Sequence, residues 1–130
     1  MREIIFRGKR KDNSKWVLGG FHSHNGKAYI IGISKQEKID GIEVIPETVG
    51  QYTGLTDKNG TKIFENDICI VTRPCISVRG KIIFFKGCFI FNEFIFENFF
   101  ELDRLTINQF EIEVIGNIHN NPELLGGEIE

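Results

Sequence analysis

Residues 48–71, T-V-G-Q-Y-T-G-L-T-D-K-N-G-T-K-I-F-E-N-D-I-C-I-V, decide the fold. Within them Asp57-Lys58-Asn59-Gly60 predicts a tight hairpin reversal, because Asn and Gly tolerate the positive φ such a turn demands. Lys62-Ile63-Phe64 follows as a short arm, Glu65-Asn66-Asp67 as a second turn, and residues 68–71 lead out as an apolar strand. None of these features is chemistry. They describe a small β domain built on turns.

Working outward on the N-terminal side, residues 42–45 form a short strand ending at Pro46, which cannot donate to a ladder. Residues 34–41 are a polar connection. Asn25-Gly26 is the clearest two-residue hairpin turn, with residues 27–33 returning from it. Residues 15–22 read as a strand carrying Trp16, with Gly19-Gly20 marking a bulge or bend. Residues 9–15 are a polar turn and residues 2–7 a first strand. On the C-terminal side Arg73-Pro74 interrupts, residues 78–85 and 88–91 pair across Lys86-Gly87, and residues 110–116 alternate as a closing strand. Residues 97–105 suit a short helix or irregular cap, and the chain from Asn120 is a tail anchored by Leu124-Leu125. Many short strands between turn signals, with hardly a helical period, predict an all-β barrel or sandwich.

Three blocks carry a resemblance. They are Phe6-Arg7-Gly8 with Trp16-Val17 and Gly19-Gly20-Phe21; the central TVGQYTGLTDKNG-KIF-NDI; and Val114-Ile115-Gly116-Asn117-Ile118-His119-Asn120-Asn121-Pro122-Glu123-Leu124. In this order they resemble the YopX family of bacteriophage and prophage proteins. The family's usual Gly-Asp stands here as Asn66-Asp67, and Asn is the best substitute at a left-handed turn position. The resemblance implies an SH3-like β-barrel, often oligomeric, with no established activity or catalytic residues; a softer boundary near Pro46 adds an N-terminal β-meander extension, and no cofactor is expected. On that pattern residues 1–46 are the meander, 47–119 the barrel and 120–130 the tail.

At 130 residues the chain is one domain by size, with 41% apolar and 26% charged residues, so disorder is not expected. No apolar run spans a bilayer and no signal peptide opens the chain, which predicts a protein of the host bacterial cytoplasm, off the membrane. Three cysteines without a C-x-x-C pair predict reduced thiols. Charge is uneven. Residues 1–15 hold six cations against two acids, and residues 93–130 hold nine acids against Arg104 alone. Such ends suit either a basic nucleic-acid patch or complementary contact between subunits.

Eight of the twelve Phe residues lie between Phe84 and Phe100. Strand alternation makes both faces of this region apolar, and a small barrel has one inside, so Phe85, Phe89, Phe91, Phe94 and Phe96 are the expected homo-oligomer interface. A base-stacking platform is the alternative, but the acids just downstream oppose phosphate. The basic segment Arg7, Lys9, Arg10 and Lys11 is the better nucleic-acid candidate, against the plainer reading of a solvated turn. The Asp57 loop does not fit calcium, since Leu55 and Asn66 fall at ligand positions. His22-x-His24 puts two imidazoles on one strand face but lacks further zinc ligands at a supporting spacing, so no metal site is expected. Asp67 is the most tempting acid, and it more naturally bonds local backbone amides. Cys69 and Cys88 lie in apolar strands where thiols are inert. The expectation is a non-enzymatic oligomeric binding or scaffolding module, with a host or phage protein as possible partner. A nucleic-acid-binding accessory protein of phage replication or regulation is the alternative, and an unrecognised enzyme the third.

Overall fold

The computed structural model describes residues 4–33, 39–74, 76–94, 99–103 and 110–124. The chain divides into two compact units, Met1–Tyr52 and Thr53–Glu130. In the first, β1 (Phe6–Lys9), β2 (Trp16–His24), β3 (Lys27–Ile33) and β4 (Ile39–Val44) are joined by the start of β5 (Gly50–Thr56). The antiparallel order is β4-β3-β2-β1-β5. Asn25 and Gly26 both take positive φ, 52° and 77°, as a two-residue reversal between paired His24 and Lys27 requires. β2 pairs with β1 up to Gly19 and with β3 from Gly20, so the expected bend lies where the strand changes partner. A Cβ on Gly19 would collide with the Ile31 carbonyl. Ala28, Ile30 and Val44 form this unit's core, with Phe6, Val17 and Val49 packed against it.

Strand β4 begins at Ile39, inside the stretch expected as a polar connection; pairing of Asp40 with Gly32 and Gly41 with Ile31 makes the strand despite poor propensity. Residues 34–38 lie outside the described residues. Pro46–Thr48 is a single 3-10 turn tied to β1, because the Thr48 hydroxyl accepts the Lys9 N–H at 2.9 Å and donates to the Ile45 carbonyl at 2.6 Å. Gly50 and Gln51 then pair with Arg7 and Phe6, so the first unit ends at Tyr52 rather than at Pro46.

In the second unit β6 (Lys62–Phe64) pairs with β5, and a separate antiparallel sheet follows. It contains β7 (Asp67–Arg73), β8 (Ile76–Phe85), β9 (Cys88–Glu93), β10 (Phe99–Glu101) and β11 (Glu111–Asn117), in the order β10-β9-β8-β7-β11. Its core gathers Ile63, Cys69, Val71, Val78, Ile82, Phe91, Leu102 and Ile112. The expected helix or cap at 97–105 contains β10 instead, because Phe99, Phe100 and Glu101 find partners on β9 at Asn92, Phe91 and Ile90. The tail expected from Asn120 has a 3-10 turn at Pro122–Leu124; Leu125 lies outside the described residues.

The fold is all-β, with two antiparallel sheets, and neither sheet closes on itself among the described residues. The expected SH3-like barrel is therefore not shown. Alternation in a sequence predicts strands, whereas closure depends on strand number, tilt and shear, which alternation does not carry. No helix among the described residues is long and apolar enough to cross a membrane.

Gly60 takes φ +83°, whereas Asn59 stays out of the positive-φ region. The loop is thus a reversal completed by one left-handed glycine, with the Gly60 N–H donating to the Asp57 carbonyl at 3.0 Å. Nothing lies within 4 Å of a Cβ built on Gly60, so Gly60→Val tests backbone strain alone. It is expected to lower unfolding free energy by about 1–2 kcal/mol. Asn66, at φ +74°, should accept glycine neutrally or with slight gain. Thermal melts of both variants check the pair, and a silent Gly60→Val would contradict the turn.

Candidate interaction surfaces

The organising stretch is a structural device. Asp57, 7% exposed, accepts the N–H groups of Asn59 and Thr61 on Oδ1, each at 2.9 Å, and the N–H of Val114 on Oδ2 at 2.9 Å. The Lys58 N–H donates to the Ile112 carbonyl at 3.0 Å. Ile112 and Val114 are alternate residues of β11, and these groups face away from β7. The turn therefore caps the free edge of the sheet, where unpaired backbone groups would otherwise invite another chain. Asp67, 1% exposed, accepts the Phe64 N–H at 2.8 Å, the local amide bond expected of it. Between them the Asn66 N–H reaches the Ile82 carbonyl at 2.7 Å, and the Asn66 carbonyl receives the Ile118 N–H at 3.0 Å. Both carboxylates thus serve backbone amides.

The closing block has the same character. Asn117 Oδ1 accepts the His119 and Asn120 N–H groups at 3.0 and 2.9 Å, and Asn121 Oδ1 accepts the Asn117 N–H at 3.2 Å. A Cβ on Gly116 would collide with that Asn121 amide. In the opening block, Cβ on Gly8 would press on Val44 at 3.0–3.2 Å.

The phenylalanine-rich region divides by distance from the β8–β9 turn, not by face. Ile82 lies opposite Phe91, and both are wholly buried. Two residues nearer the turn on the same face, Phe84 lies opposite Phe89 and is 52% exposed. Phe85, opposite Cys88, is 46% exposed. Phe84 and Phe89 meet edge to face, with ring centroids 5.0 Å apart. Phe91 is thereby corrected from interface to core, where it packs on Phe100 at 5.1 Å. Phe89 and Phe94 are half-buried, and Phe96 lies outside the described residues. Phe84, the most exposed phenylalanine of the region among the described residues, escaped the sequence reading because alternation placed it beside Ile82. An open cleft of about 440 Å³ adjoins the turn, lined by Phe85, Lys86, Cys88, Ile90, Phe100 and Glu101. Lys86 itself takes φ +51°, a conformation that Asn or Gly adopts more readily, and its ammonium lies 5.3 Å from the Phe85 ring centroid.

The basic N-terminal segment is largely engaged by its own unit. Arg10 forms a two-pronged pair with Asp12, both contacts at 2.9 Å, and this hydrogen bonding holds the Asp12 carboxyl below its usual range. Lys11 pairs with Glu43 at 3.1 Å. Arg7 and Lys9 flank the Trp16 ring, at 4.7 and 5.7 Å from its centroid. The structure therefore separates the four expected phosphate ligands into two salt-bridged side chains and two that frame an aromatic ring. No group of three or more His, Cys, Asp or Glu that could hold a metal occurs among the described residues. Cys69 is buried, and the half-buried Cys88 thiol donates to the Phe85 carbonyl at 3.6 Å; Cys75 lies outside the described residues.

A family model described as YopX protein matches residues 5–126. The crystal structure of protein EF1440 from Enterococcus faecalis is similar over 96% of this chain and 99% of that one, at 24% identity and a TM-score of 0.57, a likeness of fold. No curated protein matches.

Proposed function

The chain belongs to the YopX family, and from that premise we propose a non-enzymatic binding module of phage or prophage development that works as an assembly of identical chains, joined through the β8–β9 hairpin. The observation that carries this reading is the adjacent pair Phe84 and Phe85, each about half exposed at a hairpin turn. Burying a phenylalanine stabilises by roughly 1.5–3 kcal/mol, so an apolar pair at one point favours contact. A second copy fits the surface best. The cleft beside Phe85 has apolar walls in Ile90 and Phe100, and its rim bears one cation, Lys86, and one anion, Glu101. A two-fold axis sets each rim charge toward its opposite on the other copy and each Phe85 toward the other cleft.

The test is sedimentation velocity at low micromolar concentration, comparing the native chain with a Phe84→Ser/Phe85→Ser double variant. The native chain should sediment as an assembly and the variant as a monomer. At a dilution where the native chain is monomeric too, stability should differ by no more than about 0.5 kcal/mol, because these side chains face solvent in the single chain; at assembling concentrations the native chain gains stability by mass action. A double variant that assembles like the native chain would remove the hairpin from the interface.

A further inference from the structure

The face of the N-terminal sheet opposite its core carries aromatic and basic side chains together. Val17, Ala28, Ile30 and Val44 belong to the core cluster, so residues in the alternate register point the other way. The strand register places Lys9 opposite Trp16, Arg7 opposite Leu18, His22 opposite Tyr29 and His24 opposite Lys27 on that second face. Leu18 is 53% exposed, His22, His24 and Lys27 are exposed, and Tyr29 is half-buried. The His22 and His24 rings are near parallel, 16° apart in plane with centroids separated by 6.2 Å, and the Tyr29 ring lies 6.3 Å from His22. At the other end of β2, the Arg7 and Lys9 cations lie 4.7 and 5.7 Å from the Trp16 ring centroid.

We propose that this face binds single-stranded nucleic acid, with bases stacking on Tyr29, His22 and His24 and phosphates drawn by Lys27 and by Arg7 and Lys9 beside Trp16. Two properties select this ligand. Aromatic rings recurring along a strand offer π surfaces to successive unpaired bases, whatever their sequence. Cations beside the rings supply the charge that a phosphate backbone requires; the acid on this face, Glu43 opposite Tyr29, is met by Lys11 at 3.1 Å. The first unit as a whole carries nine Lys and Arg against six Asp and Glu, whereas the second carries seven against twelve. Duplex nucleic acid hides its bases inside the stack and so meets only half of this surface. The site is separate from the β8–β9 hairpin, so each can fail without the other.

The chain has a single tryptophan, and it lies on this face, so its fluorescence reports the site without a label. Oligothymidylate and oligouridylate of about 15 nucleotides should quench it, at a length that covers one such site. The affinity should fall steeply between 50 and 200 mM salt, about tenfold or more for even a few phosphate contacts. His22→Ala/His24→Ala and Tyr29→Ala should each weaken binding by about fivefold or more while leaving the melting curve in place. Lys27→Glu should weaken binding and flatten the salt dependence. Inorganic polyphosphate, which has charge but no bases, and a duplex of equal length should bind more weakly than the single strand. Absence of quenching at low salt would overturn the proposal. So would equal affinity for duplex or polyphosphate, or ring variants that bind like the native chain.

Discussion

Replacing Asp57 by alanine is expected to destabilise the protein by about 3 kcal/mol or more, a large share of what a small domain possesses. The carboxylate accepts three backbone N–H groups, from Asn59, Thr61 and Val114, and is 7% exposed. Hydrogen bonds to a charged group are worth about 1.5–3 kcal/mol each, and the amides left behind lose their partner while shielded from water. Asp57→Asn separates the two tasks of the side chain. Its oxygen can still receive Asn59 and Thr61, but its NH₂ then faces the Val114 N–H, donor against donor. The asparagine variant should therefore keep the turn and lose the hold on β11, giving an intermediate loss. With the edge of β11 uncovered, the alanine variant should also aggregate more readily on partial unfolding. Urea titration measures both losses, and a change below about 1 kcal/mol for Asp57→Ala would show that the turn does not hold the edge.

Phe91→Ala should be of similar size, about 3–5 kcal/mol, because it opens a cavity beneath a wholly buried ring. Its neighbours in the core, Ile82, Ile112 and Leu102, are held by backbone pairing and cannot collapse far into the space. Phe84→Ser, seven residues earlier on the facing strand, should leave the midpoint nearly unmoved at a dilution where the chain is monomeric, since that ring is 52% exposed there. The contrast tests the division of the aromatic region by distance from the turn. Equal denaturation midpoints for the two variants would refute it.

The elements most legible in the sequence were those bounded on both sides by turn chemistry. Lys27–Ile33 begins after a turn whose Asn25 and Gly26 take positive φ, and Lys62–Phe64 follows Gly60. Gly50–Thr56 carried no strand expectation, since Gly50, Gln51 and Gly54 have weak β-propensity and Gly54 sits at φ +90°. It is a strand because β1 and β6 supply partners, and partners are remote in sequence. The same remoteness hid the role of Asp57, whose third amide comes from Val114. The sequence reading grouped Phe85 with Phe89 and Phe91, which the register places on the opposite face, and it missed depth, because depth depends on how far the β8–β9 hairpin extends beyond the core. For the basic segment, the sequence showed the cations but not that Glu43 and Asp12 lie against two of them.

Each of the three blocks that mark the family supplies scaffold contacts: the Gly8 contact with Val44, the Asp57 and Asp67 turns, and the Asn117–Asn121 turn with Gly116. The proposed interaction chemistry lies at the β8–β9 hairpin and on the second face of the N-terminal sheet, the latter sharing Arg7 and Trp16 with the first block. In the proposed self-association through the hairpin, burial of Phe84 and Phe85 outweighs the exposed rim charges, which contribute less than about 1 kcal/mol each, so dissolved salt should not break the contact. Light scattering coupled to size exclusion, at low micromolar protein in low and high salt, tests this most directly. The expected result is a mass of at least two chains that is as large in high salt as in low. A monomer in both conditions, or an assembly that dissolves as salt rises, would contradict it.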